Sequence, residues 1–309
     1  MDHDQLFKKV LQEQLQGFIE LFFPEVAARL DFRSLSFLDK EIFTDFPEGS
    51  RRELDVVAEI NTDDGSPELI LVHIEVQARP EKELAERMFE YYVLLRRRYQ
   101  VPVFPVVVYL RGGTGSIEEV YRETLFGREQ LRFRYASIGL AELEAEEYVE
   151  KSPLAAALAA LMNRRRVADR VELRTAIMGR IARSGLDEAQ RFLLFNFAQT
   201  YFELGEAEME RFRRLLSEKG YWEVEEMEVT WADKMMEKGR EEGRRQGLEA
   251  GVLAGKRETL LRLLTAKFGP VPEKARRRVQ ALASVAELDA YLERVLTAES
   301  LDAMGFGAQ

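Results

Sequence analysis

The sequence predicts an α/β layer at the front of the chain and an all-helical region behind it. Three observations carry that expectation. Residues 54–60 and 69–77 place apolar side chains at every even position, the period of strands with one face on a core. Residues 101–110 form an almost unbroken apolar run rich in β-branched side chains, as a strand covered on both faces requires. Beyond Pro153 the apolar spacing is helical throughout.

Taken in order, residues 6–22 read as an amphipathic helix, with Pro24 marking its end. Residues 39–43 (Asp-Lys-Glu-Ile-Phe) are a short strand, and a loop with Pro47 and Gly49 follows. The two alternating segments come next and pair as a hairpin across the turn-rich link at 61–67. A helix over 81–99 starts after Pro80, then comes the apolar strand, ended by Gly112-Gly113-Thr114-Gly115. Residues 131–136 add one more strand. The order helix, three strands, helix, strand implies helices packed on a mixed sheet.

In the helical region, residues 155–162, 171–183 and 189–204 read as bundle helices, and Phe192, Phe195, Phe197 and Phe202 as core. From Lys238 onward Gly239, Gly243, Gly247, Gly251 and Gly255 recur every fourth residue. Each costs a helix about 1 kcal/mol relative to alanine, so five melt an isolated helix unless close backbone packing offsets the loss. Two readings stand: a stripe for close helix packing, or a charged, frayed connector. Residues 258–268, 273–282 and 285–296 then form a small helical module. The expected divisions are 1–150 (α/β), 151–233 (helical), 234–257 (glycine repeat) and 258–309 (small helical domain).

The chain of 309 residues carries a net charge of −10, about −12 in residues 1–150 and about +2 in the rest. That balance argues against a broad basic surface, so any contact with nucleic acid rests on local cations and bound metal. With no cysteine, disulfides and zinc–thiolate sites are excluded. No apolar run reaches the length of a membrane span, and the amino terminus lacks the layout of a signal peptide, so the expectation is a cytoplasmic protein without a membrane partner. There is no Walker-type or GxGxxG pattern, which leaves a small-molecule phosphoesterase without a nucleotide loop.

Asp55, Glu75 and Gln77 are the chemically informative residues. As odd-numbered positions of the two alternating segments they share one face, and the hairpin brings Asp55 close to Glu75 and Gln77. Two carboxylates held together repel unless one is protonated or a cation bridges them. An oxygen-seeking divalent metal is one such bridge; a polar sheet face open to water is the other reading. The Gln77 amide could hold an attacking water or a phosphate oxygen but carries no charge. Lys8, on the first helix, could supply that charge or simply be solvated. Arg87 and Tyr91, four apart on the helix after the hairpin, could face the same site. Arg87 is then either a phosphate contact or the partner of Glu83 or Glu90. His73 shares the face of Glu75, as a ligand or as a packed strand residue. Arg96-Arg97-Arg98 and Arg164-Arg165-Arg166 are candidate backbone contacts or solvated faces.

An acidic residue on one strand followed by Glu75-Val76-Gln77 on the next resembles the PD-(D/E)XK nuclease superfamily, with glutamine where lysine is usual. More closely, the chain resembles the recombination-promoting nuclease (Rpn) family of transposase-like proteins. The matching stretches are His3-Asp4-Gln5-Leu6-Phe7-Lys8-Lys9, Phe37-Leu38-Asp39-Lys40-Glu41, Arg52-Glu53-Leu54-Asp55, His73-Ile74-Glu75-Val76-Gln77 and Glu86-Arg87-Met88-Phe89-Glu90-Tyr91-Tyr92. The likeness covers roughly residues 3–140. The carboxyl-terminal piece resembles an uncharacterised helical domain that follows such nucleases, notably in cyanobacterial proteins. The resemblance implies a restriction-endonuclease-like core and endonucleolytic DNA cleavage with Mg²⁺ or Mn²⁺. Asp55 and Glu75 would be the metal ligands and Gln77 would stand at the lysine position. Self-association through the helical region is expected, because cutting both strands commonly uses paired sites. The competing expectation is a catalytically silent scaffold on the same fold, binding DNA or protein; fold alone does not decide between them.

Overall fold

The first helical segment breaks at Gln14 into α1 (His3–Glu13) and α2 (Leu15–Phe22), and Pro24 opens a one-turn helix, α3 (Pro24–Ala27). The hydrogen bonds Gln14 N→Val10 O and Phe18 N→Gln14 O, both 2.9 Å, span the break, so the chain bends there without losing its ladder. The computed structural model describes residues 3–38, 54–63, 69–113, 118–163 and 167–306. The strand expected over 39–43, the loop after it and Arg164-Arg165-Arg166 lie outside the described residues.

A strand that period-two counting does not reveal follows, β1 (Leu30–Phe37). Leu30 and Phe32 alternate in one phase, Leu35 and Phe37 in the other, and the register of β1 against its neighbour shifts between Asp31 and Ser36. An irregularity of that kind switches the inward phase mid-strand. The expected hairpin is β2 (Val56–Thr62) and β3 (Leu69–Gln77), antiparallel with Val56 opposite Ile74. Helix α4 (Leu84–Tyr99) crosses to β4 (Val103–Tyr109), which runs parallel to β3. Strands β5 (Glu118–Leu125) and β6 (Arg128–Gly139) form a second hairpin, β6 parallel to β4. The sheet order is β1-β2-β3-β4-β6-β5, a mixed six-stranded sheet with its parallel strands at the centre.

Both faces of that centre are covered. The even residues Val56, Ala58, Val72, Ile74, Val106 and Val108 pack against Phe7, Val10, Leu11 and Phe18 of α1 and α2. The odd residues Val57, Leu71 and Val107 pack against Leu84, Met88, Tyr91 and Leu95 of α4. Covering on both sides is why β4 reads as continuous apolar sequence.

The helical region comprises α5 (Pro153–Ala159), α6 (Arg170–Ala182), α7 (Glu188–Tyr201), α8 (Glu206–Glu218), α9 (Trp222–Phe268), α10 (Glu273–Ala281) and α11 (Val285–Thr297). The chain forms two compact units, residues 1–231 and 232–309. Helices α5 to α8 belong to the first and share its core: Phe7 of α1 meets Phe197 of α7 with ring centres 5.6 Å apart. The second unit has its own core of Leu260, Leu264, Val271, Val279, Leu288, Val295 and Phe306. All five glycines of the repeat lie within α9, which does not stop at them.

Candidate active site

Asp55 lies one residue before β2, where the main-chain ladder to β3 runs out. Its carboxylate continues the ladder: Oδ2 accepts from the Val76 N–H at 2.8 Å. Oδ1 faces the Lys8 ammonium of α1 at 2.6 Å. Glu75, on β3, turns Oε1 back toward the same point, accepting from the Asp55 N–H at 3.3 Å and from His73 Nε2 at 2.9 Å. An ionised carboxylate can only accept, so with Glu75 ionised Nε2 carries the imidazole proton. His73 Nδ1 is buried without a hydrogen-bond partner. The exposures are 7% for Asp55, 3% for Glu75 and 0% for His73, so this is an internal polar cluster.

The other sequence candidates sit around it. Tyr91, buried on α4, meets the His73 ring edge-on at 5.5 Å. Gln77 is half-buried at the end of β3, level with Tyr109 of β4. Arg87 pairs with Glu81 at 3.2 Å. Asp55, Glu75, Lys8 and His73 are thus in direct contact, and Tyr91 touches the cluster through His73. Among the described residues, no hydrogen bond or ion pair links the Gln77 side chain or Arg87 to the two carboxylates.

Sequence reasoning did not find a second polar group on the sheet. Glu119 of β5 accepts from Tyr135 Oη at 2.7 Å, from Ser137 Oγ at 3.0 Å and from Tyr109 Oη at 3.5 Å. Burial first, then Glu119, raises both phenols above their ordinary range, so they remain donors. Locating Glu119 required β5, and the charged sequence of β5 hides its period.

Burial first and the neighbouring Glu75 carboxylate second raise the Asp55 carboxyl to about 6, against the opposing pull of Lys8 and the Val76 N–H. A folded value above the ordinary 3.8 means that the fold binds this proton more tightly than the unfolded chain does. Its contribution to stability is fully present below about pH 4 and is lost as pH rises through 6. In chelator, stability is expected to drop by roughly 3 kcal/mol between those limits and pH 7 on account of Asp55. Urea unfolding across that range tests this, because Asp55→Asn should flatten the dependence. An identical slope in the variant would refute it.

A family model described as "Putative transposase, YhgA-like" matches residues 1–173. The chain belongs to the YhgA-like transposase family. The family match spans every candidate residue from Lys8 to Arg87 and ends within α6. No curated protein and no solved structure gives a significant match. No described helix is long and apolar enough to cross a membrane.

The donor set bears on whether this transposase-family site suits a cation. Among the described residues no three His, Cys, Asp or Glu side chains cluster as a metal cage. Two carboxylates remain, each with one oxygen fixed by a main-chain N–H, and the other Asp55 oxygen faces Lys8, which a cation would have to displace or share. Such a pair fits a hard divalent ion of the Mg²⁺ type, which keeps most of its ligands as water or substrate phosphate. It does not fit zinc, which demands a fuller protein shell.

Proposed function

We propose that this protein is a divalent-metal-dependent endodeoxyribonuclease that hydrolyses DNA phosphodiester bonds and serves recombination or mobile elements. The observation that carries this reading is the buried pair of Asp55, just before β2, and Glu75 on β3, with Lys8 at 2.6 Å from Asp55. Asp55 and Glu75 would hold Mg²⁺ or Mn²⁺. When bound, the ion supplies Lewis-acid activation of the phosphate and of a water. Lys8 brings the positive charge that Gln77 lacks, beside Asp55, where charge on the phosphate can be offset. The Gln77 amide orients a water or a phosphate oxygen. Arg87 is exchangeable onto phosphate, because its pairing with the exposed Glu81 is weak. Tyr91 acts through His73, whose Nε2–H fixes Glu75 Oε1 and leaves Oε2 for a ligand. Self-association is assigned to the helical carboxyl-terminal region: in the described structure nothing approaches within 4 Å of a Cβ added at Gly251 or Gly255, so close packing there needs a second chain.

A second reading, a silent scaffold for DNA or protein, is favoured by one observation: both Asp55 oxygens already have partners within the chain. Plasmid nicking separates the two. The nuclease reading expects wild-type protein to nick supercoiled DNA with Mg²⁺ or Mn²⁺ and to stop in chelator. Intact plasmid under every divalent ion, with DNA binding retained, would leave the scaffold.

A further inference from the structure

The second hairpin is an arm. Strand β6 pairs with β4 only over Ala136–Gly139, whereas its pairing with β5 runs on to Leu125 opposite Arg128. From residue 135 outward the sheet is therefore two strands wide among the described residues, for about 20 Å at strand rise. The base of this ribbon rests on α4, where Phe133 meets Phe89 and Tyr92 with ring centres 5.6 and 5.0 Å apart. Beyond the base, residues 122–130 are all exposed.

The tip is chemically unusual. The turn is Phe126-Gly127, with φ of +51° and +73°, the left-handed pair of a two-residue type I′ turn. Asparagine or glycine suits the first position; phenylalanine there is strained, and its ring gains nothing from the fold because Phe126 is 92% exposed. Leu125 beside it is 55% exposed. Arg128 follows directly and has no carboxylate partner among the described residues, while Arg122 and Arg132 stand further down the ribbon, sharing Glu129. Within the described structure this strained, solvated aromatic makes no packing contribution, which directs attention to a contact outside the chain.

We infer that this arm enters a groove of duplex DNA and wedges Phe126 between stacked bases, with Arg128 on the adjacent phosphate. A two-stranded ribbon has the width of a groove-binding element. A single apolar ring flanked by arginine is the form of a side chain that unstacks a base step. Two apolar residues cover far too little area for a stable protein interface or membrane anchorage. The inference rests on the DNA reading above and gives that reading a contact outside the carboxylate site.

Phe126→Asn tests it with effects of opposite sign. The substitution creates Asn-Gly, the preferred type I′ sequence, so the full-length variant should melt at or above the wild-type temperature. Its affinity for a short labelled duplex rich in TA steps, measured by anisotropy in chelator, should fall about 10- to 100-fold. The fluorescence rise of 2-aminopurine placed in those steps should disappear, and Phe126→Trp should restore both signals. Equal duplex affinity for wild type and variant would overturn the inference, as would a lower melting temperature or a loss confined to lipid vesicles or self-association. If wild type itself does not bind the duplex, the DNA reading fails, which is a separate result from failure of the arm.

Discussion

Glu75→Gln is expected to lower metal-dependent nicking by about 10³-fold, a loss near 4 kcal/mol in transition-state stabilisation, while leaving the fold intact. The amide oxygen can take over the acceptor role of Oε1 toward His73 Nε2 and the Asp55 N–H, so the internal hydrogen bonds survive. What disappears is one of two negative charges that oppose each other in a buried site. Without a cation that charge is a burden on stability, so the variant should melt no lower than wild type in chelator. Its weakened affinity for Mn²⁺, read by electron paramagnetic resonance, should accompany the loss of nicking. A stable variant with wild-type activity would remove Glu75 from the chemistry.

The second large effect is structural. Arg174 of α6 is 3% exposed, yet it is charged. Its guanidinium donates to the Phe202 carbonyl and to Gln199, lies 3.9 Å from Glu228, and stands over the Phe212 ring at 5.1 Å. Four helices, α6 to α9, thus meet on one cation. Burial lowers its pKa, and Glu228 acts against that shift. Arg174→Ala should cost about 3–5 kcal/mol, because it leaves a cavity and a buried carbonyl without its donor. Arg174→Met should cost clearly less, since its stem refills the space and an apolar replacement avoids burying a charge. Urea unfolding followed by circular dichroism measures both. Equal losses would mean that the charge network, not packing, sets the cost; no loss in either would mean that these helices do not depend on the arginine.

Alternation alone was enough to pair β2 with β3 and to bring Asp55 level with Glu75, because a half-buried hairpin fixes its register through its apolar face. The apolar run of β4 and the helix α4 were legible for the same reason: burial writes itself into composition. Strands β1 and β5 were not. An irregularity reverses the phase of β1, and β5 is an edge strand whose outward charges obscure its period. The glycine repeat left a packing stripe and a frayed connector both open, and α9 runs through it as helix.

The site divides along the same line. Sequence by itself determined that Asp55 and Glu75 share a location, because strand period and register are local properties. Only the tertiary structure decided that Lys8, 47 positions before Asp55, comes to lie against it. It also decided that His73 Nε2 meets Glu75 Oε1 and that Arg87 turns to Glu81. Those choices depend on how helices settle on a sheet, through side-chain directions and burial that no spacing along the chain encodes.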